Sequence, residues 1–195
     1  MKLFSLILFA FLLGSIPFGV VVAKVYGVNL KKVGSGNIGA TNVLRAMGKG
    51  PALLTLVGDV LKGSLAVVAG RYFLHSASLE GIIGLSAIVG HNFSLFLRFR
   101  GGKGVATSIG VLLIYSPKVG VLTAILWLIV MLVTRYSSLG AIVSFGVLPF
   151  GIYVLDYTQE KLIISVLIAF LLIFRHTDNI KRLLQGTEPK IGKRV

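Results

Sequence analysis

Three glycine-rich stretches of this 195-residue chain hold the side chains best suited to chemistry. Residues 33–42 read VGSGNIGATN and are followed by Arg45. Glycines let backbone N–H groups converge on an anion; Ser35, Asn37, Thr41 and Asn42 add side-chain donors around Gly36. Arg45 supplies a fork of charge-assisted bonds matched to phosphate. Gly34, Gly36 and Gly39 also fit G-x-G-x-x-G, with Asp59 twenty residues beyond Gly39. That fingerprint needs a preceding strand and a βαβ unit; apolar runs flank it here, so a dinucleotide site is not the reading. Residues 98–104 read RFRGGKG. No Ser or Thr follows Lys103 and no glycine stands five residues before Gly102, so this is not a nucleotide-hydrolysing P-loop. Gly101, Gly102, Lys103 and Gly104 at the start of a helix still offer N–H groups, a positive helix end and one point charge, a seat for phosphate. His91 and Asn92 lie just upstream; a lone His in an apolar run is either a functional group or a hydrogen-bonded structural one.

The third stretch, residues 176–192, reads HTDNIKRLLQGTEPKIG. Ile180, Leu183 and Leu184 fall at i, i+3 and i+4 beside Lys181 and Arg182, predicting a short interfacial helix that stops at Gly186. His176 and Asn179 are three apart and share a face of its first turn. Glu188 sits among cations and reads as their structural partner rather than a base.

The elements that must position these groups follow from composition. The chain is 55% hydrophobic and 13% charged, with mean hydropathy +0.93, whereas soluble domains carry about 25% charge. A crossing needs about 20 apolar residues. Candidates are residues 3–22, 51–73, 81–97, 105–115, 119–133, 139–156 and 162–174. The predicted fold is an all-α polytopic membrane bundle of about seven transmembrane helices, six being the next count. The first run also resembles a signal peptide, but no small-x-small cleavage site follows. Residues 105–115 are short enough for a re-entrant loop. No composition break divides the chain, so residues 1–195 read as one integral-membrane domain.

Charge then sets orientation. Of 20 Lys and Arg residues, one set of connections holds Lys24, Lys31, Lys32, Arg45, Lys49, Arg98, Arg100, Lys103 and Arg135. The tail adds Arg175, Lys181, Arg182, Lys190, Lys193 and Arg194 to that set. The other side has only Lys2, Arg71, Lys118 and Lys161. The positive-inside rule puts the N-terminus outside, the C-terminus in the cytosol and all three polar stretches at the cytosolic face. Much of the net charge of +14 is thus topological, pointing to lipid and anionic substrates rather than nucleic acid. Asp59 and Lys62 lie three apart inside the second run, roughly 12 and 17 Å along it from Pro51, and read first as a structural pair and second as shaping the site. With no Cys, three His and six carboxylates, thiolate chemistry is excluded and neither metal nor cofactor is expected.

Several motifs together resemble the bacterial acyl-phosphate:glycerol-3-phosphate acyltransferase family. They are GSIPFG at residues 14–19, GSGNIGATN-x-x-R from Gly34 to Arg45 and GD-x-x-KG at residues 58–63. GHNFS at residues 90–94, F-x-GGKG at residues 99–104 and RH-x-DNI-x-R-x-x-x-G-x-E from Arg175 to Glu188 complete the set. The resemblance implies transfer of a fatty acyl chain from acyl phosphate to the 1-hydroxyl of glycerol 3-phosphate, giving lysophosphatidic acid and phosphate at the bacterial inner membrane. It implies catalytic roles for Ser35, Arg45, His91, His176 and Asn179. Gly101, Gly102, Lys103 and Gly104 become the glycerol 3-phosphate seat, while Ser35, Gly36, Asn37, Asn42 and Arg45 handle the acyl phosphate, with Thr41 in the same loop. Substrates and membrane lipids are then the partners. An acyl phosphate is already activated, so direct attack by the glycerol hydroxyl is favoured over a Ser35 acyl-enzyme. His176, His91 or a substrate phosphate oxygen takes the proton. The alternative, a transporter of phosphate esters, predicts sites near the bilayer midplane and interrupted helices in both halves. A non-catalytic lipid scaffold leaves the glycine-rich loops unexplained.

Overall fold

An apolar run surrounded by lipid must satisfy its own backbone, which an open chain does by coiling into helices. The computed structural model describes residues 1–192, leaving Lys193 and Arg194 of the basic tail outside the described residues. Among the described residues there are eleven α-helices and no strand. They are α1 (Lys2–Ser15), α2 (Phe18–Val25), α3 (Ala40–Met47), α4 (Lys49–Leu74), α5 (Ala77–Asn92) and α6 (Val105–Tyr115). Then come α7 (Pro117–Thr134), α8 (Ser137–Gly146), α9 (Leu148–Leu155), α10 (Gln159–Arg175) and α11 (Thr177–Leu184).

Each of the seven expected apolar runs is largely helical, but three are broken, residues 81–97 at Phe93 and Ser94 before a short 3-10 turn. Pro17 supplies no N–H, so residues 3–22 split into α1 and α2. Pro149, in the first turn of α9, accompanies a 40° bend after α8. Four helical stretches are long and apolar enough to cross a membrane, or up to six when each bent pair counts as one. The eleven-residue α6 falls short; at 1.5 Å per residue it reaches roughly 16 Å.

Tertiary contacts nonetheless order the segments between two ends. At one end Arg71, in the last turn of α4, pairs with Glu80 at the start of α5 (3.1 Å) and donates to the Ile114 carbonyl at the end of α6 (2.8 Å). Ser116 donates to Asp156 there, and Lys161 pairs with the same carboxylate at 2.7 Å. At the other end lie α3, the close of α5, the start of α6, the turn between α7 and α8, and the tail. Even α6 therefore carries the chain from one end of the bundle to the other.

A buried core of Val67, Ile88, Val111, Leu112, Phe145, Leu148, Ile152, Ile168 and Leu172 joins α4 to α10. Small residues bring the backbones close. A Cβ at Gly110 would collide with the Val60 carbonyl, and one at Gly63 with the Thr107 carbonyl, so α4 and α6 touch backbone to backbone. The Asp59–Lys62 pair forms as expected, at 2.8 Å and nearly inaccessible. Lys62 Nζ also donates to the Ile16 carbonyl at the α1–α2 break (2.8 Å). Gly110→Leu should separate α4 from α6 and cost about 1–3 kcal/mol, read as a lowered unfolding midpoint in detergent.

Candidate active site

Asn42 builds the first polar loop. Its Nδ2 donates toward the carbonyls of Asn37 (2.8 Å), Val33 (3.0 Å) and Leu30 (3.2 Å), while Oδ1 accepts from the Ser35 N–H (2.9 Å). The amide is wholly engaged in holding the loop. Asn37 Oδ1 accepts from the next N–H, that of Ile38, at 2.9 Å. Thr41 shares a hydrogen bond with Ser137 of α8 (3.0 Å). Ser35 faces the cavity described below, and among the described residues its hydroxyl is bonded to no histidine or carboxylate. Gly36 lies behind it, outside the lining.

The GGKG turn hangs from the end of α5. Gly101 N–H donates to the Asn92 carbonyl (3.2 Å) and Gly102 N–H to the His91 carbonyl (3.0 Å). These two donors, expected to be free for an anion, are thus occupied. Among the described residues the N–H groups of Lys103 and Gly104 donate no such bond, so free N–H groups begin at Lys103 and continue into the first turn of α6. Gly104 has φ +84°, a conformation that favours glycine. From outside, Arg175 donates Nε to the Gly102 carbonyl (3.2 Å) and Nη2 to those of Gly102 (3.0 Å) and Gly101 (3.3 Å), with its guanidinium over the Phe93 ring.

The tail closes the arrangement. α11 ends as predicted at Gly186: Thr187 N–H reaches the Arg182 carbonyl (2.8 Å) and Gly186 N–H that of Leu183 (3.2 Å), a Schellman closure. The reversal delivers Glu188 into the protein. Its Oε1 accepts from Ser138 (2.6 Å) and Asn179 (2.7 Å), and its Oε2 from Arg182 (2.8 Å). The expected ion pair is there, and it is also a hub joining α8, α11 and the tail. Burial alone would raise the carboxyl pKa, but these three donors outweigh it and hold it below the usual range. Beyond it, Arg45 Nη2 donates to the Pro189 carbonyl (2.9 Å), and Arg135 exchanges hydrogen bonds with Ile191.

These segments enclose a cavity of about 460 Å³. Ser35, Asn37, Arg45, His91, Lys103, Gly104, His176 and Asn179 face it; Gly101 and Gly102 stand behind Lys103. Lys103 Nζ donates to Asn179 Oδ1. Burial, with Arg182 nearby, lowers the Lys103 pKa to about 8. His176 places Nδ1 2.8 Å from the Leu172 carbonyl. A carbonyl only accepts, so Nδ1 carries the hydrogen and Nε2 keeps a lone pair. His91 is differently placed: Nδ1 lies 3.5 Å from Asp59 Oδ1, and Gly102 presses on Nε2 so closely that a Cβ would collide with it. Among the described residues no group of three or more His, Asp or Glu is arranged to hold a metal ion.

An apolar wall comes from Leu44, Ala52, Leu56, Ile109, Trp127 and Met131. Sequence reasoning did not find this wall, nor Ser137, Ser138 and the Arg175 clamp. A signal existed for part of it: Ala52, Leu56 and Asp59 repeat at i, i+4 and i+7 and share one helix face. The other contacts join residues far apart in the chain.

A family model described as glycerol-3-phosphate acyltransferase matches residues 4–186. The chain belongs to the glycerol-3-phosphate acyltransferase family. It is 50% identical over 190 residues to a glycerol-3-phosphate acyltransferase of Thermus thermophilus, covering 97% of this chain and 95% of that one. It is 44% identical over 189 residues to glycerol-3-phosphate acyltransferase 1 of Deinococcus radiodurans, covering 97% and 96%. Its fold is similar to that of PlsY (YgiH), described as an integral membrane glycerol 3-phosphate acyltransferase. The crystal structure of the glycerol 3-phosphate form gives a TM-score of 0.93 at 41% identity, over 98% of this chain and 96% of that one. The lysophosphatidic acid form gives 0.91 at 40% over the same shares. The protein is an integral membrane acyltransferase. In this acyltransferase, Glu188→Ala should release the tail, lowering hydrogen-exchange protection of residues 186–192 about tenfold or more. In the wild type the Glu188 contribution is present at neutral pH and is lost as pH falls through its depressed pKa, so acid should loosen the same segment.

Proposed function

We propose that the protein transfers a fatty acyl group from acyl phosphate to the 1-hydroxyl of glycerol 3-phosphate. The products are lysophosphatidic acid and inorganic phosphate. One observation carries the reading: Lys103, Arg45, His176 and Asn179 face a single cavity whose lining also includes apolar side chains. Two phosphate-bearing substrates need cations and N–H donors, and an acyl tail needs lipid-like surroundings. Lys103, with the N–H groups that open α6, holds the phosphate of glycerol 3-phosphate. Arg45 and the Ser35 loop hold the acyl phosphate, with its tail against Leu56, Ile109, Trp127 and Met131.

The 1-hydroxyl oxygen attacks the acyl carbonyl carbon. As the ester C–O bond forms, the bond from that carbon to the phosphate oxygen breaks, and phosphate leaves with the electron pair. The hydroxyl proton passes to His176 Nε2 or to an oxygen of the departing phosphate. His91 is the weaker acceptor because Gly102 covers its Nε2. The cations neutralise charge that grows on the leaving group, and the cavity supplies alignment. No acyl-enzyme is needed, in keeping with a Ser35 hydroxyl bonded to no base among the described residues. The excess of basic residues at the site end of the bundle supports a cytosolic active site in the bacterial inner membrane, with the N-terminus outside. On that topology seven segments traverse, α6 among them.

The reading is tested with purified protein in detergent, acyl phosphate and glycerol 3-phosphate, following lysophosphatidic acid and phosphate release; absence of both sinks it. Lys103→Ala should raise the KM for glycerol 3-phosphate about 10- to 100-fold, the value of a charge-assisted contact, with kcat changed far less. Because Lys103 is cationic below about pH 8 and neutral above it, the wild-type KM should climb as pH passes 8, and the variant should lack that rise. Incubation with labelled acyl phosphate alone should leave no ester on Ser35 in mass spectra; a trapped ester there would replace direct attack with an acyl-enzyme.

A further inference from the structure

Asp59 and Lys62 are charges set inside the bundle, and the reaction above uses neither. Lys62 is held twice, by Asp59 Oδ1 at 2.8 Å and by the Ile16 carbonyl at 2.8 Å, and it does not reach the cavity. Asp59 does reach it, on the face of α4 shared with Ala52 and Leu56. The same Oδ1 that meets Lys62 lies 3.5 Å from His91 Nδ1. Among the described residues His91 Nδ1 has no hydrogen-bond partner, and the Asp59 carboxylate is the opposite charge paired with it. The buried imidazole therefore has one electrostatic reason to keep its orientation.

That orientation has a structural consequence. The His91 ring is the floor beneath Gly102, packed so closely that no side chain fits there. Its carbonyl accepts the Gly102 N–H, and Arg175 grips the carbonyls of Gly101 and Gly102 from the opposite side. The turn is clamped between an imidazole and a guanidinium, and the residue after Gly102 is Lys103. We propose that Asp59 is a positioning residue that acts through His91 to fix the turn presenting Lys103 to the phosphate of glycerol 3-phosphate. Lys62, anchored on the helix break, keeps the carboxylate in place. The proposal rests on the reaction assigned above.

Asp59→Asn, His91→Phe and the double variant form a cycle, with both KM values measured and folding followed by thermal unfolding in detergent. Asp59→Asn should raise the KM for glycerol 3-phosphate about tenfold and leave that for acyl phosphate within about twofold. In the His91→Phe background, which keeps a ring under Gly102, the same change should add less than about twofold. Asp59→Asn with Lys62→Met, which leaves no buried charge unpaired, should reproduce the split. Equal shifts in both KM values, additive effects, or loss of the folded protein in both Asp59 variants would make the pair a structural staple and overturn the proposal. Wild-type protein that makes no lysophosphatidic acid overturns the underlying reaction as well; active wild type with unsplit variants overturns the positioning role alone.

Discussion

Inside a bilayer no water is available to a polar group, so each donor and acceptor must meet its partner within the protein. The consequences run through this bundle as a chain. Pro17 breaks the first apolar run, and the Ile16 carbonyl at the break meets the Lys62 ammonium. An ammonium buried in that setting requires an anion, which Asp59 provides one turn away. The carboxylate then lies beside His91, on the helix whose end suspends the GGKG turn. A kink near one end of the chain is thus linked, group by group, to Lys103, the cation of the proposed site.

The candidate site gathers positive charge without leaving it unorganised. Arg45, Arg175 and Arg182 come from three helices and Lys103 from the GGKG turn, and two carboxylates, Asp59 and Glu188, line the cavity. Glu188 is the more connected, with a hydroxyl, an amide and a guanidinium on its two oxygens. Like charges converging on an anion repel each other in its absence, and interleaved acids lower that cost. Hydrogen bonds from Arg45 and Arg135 to the carbonyls of Pro189 and Ile191 serve the same end by turning the tail into an acceptor.

Local patterns made part of this legible from the residues alone. The seven apolar runs, the Asp59–Lys62 pair at i, i+3, the stop at Gly186 and the cationic surroundings of Glu188 all express periods or neighbours along one helix. What escaped depends on contacts between distant segments. Nothing near Arg175 in the chain marks it as the clamp on Gly101 and Gly102, 74 and 73 positions away. Asn42 and the two glycines look like free donors until the loop folds and occupies them. The splits at Pro17 and Pro149 were visible as residues but not as breaks, because hydropathy averaged across them stays high.

The brevity of α6 has a consequence for the lipid around the protein. α6 has 11 residues against 26 in α4, so on the proposed topology a helix reaching roughly half of the ~30 Å hydrocarbon thickness would set the GGKG turn deeper than the ends of its longer neighbours. Hydrophobic mismatch of this kind is relieved by local thinning of the bilayer or by a water-filled dip in its surface. In the proposed reaction the polar substrate would then descend to the reacting carbonyl, and the fatty chain need not be pulled up into water. On that reading the protein moves the boundary between the two phases rather than either reactant.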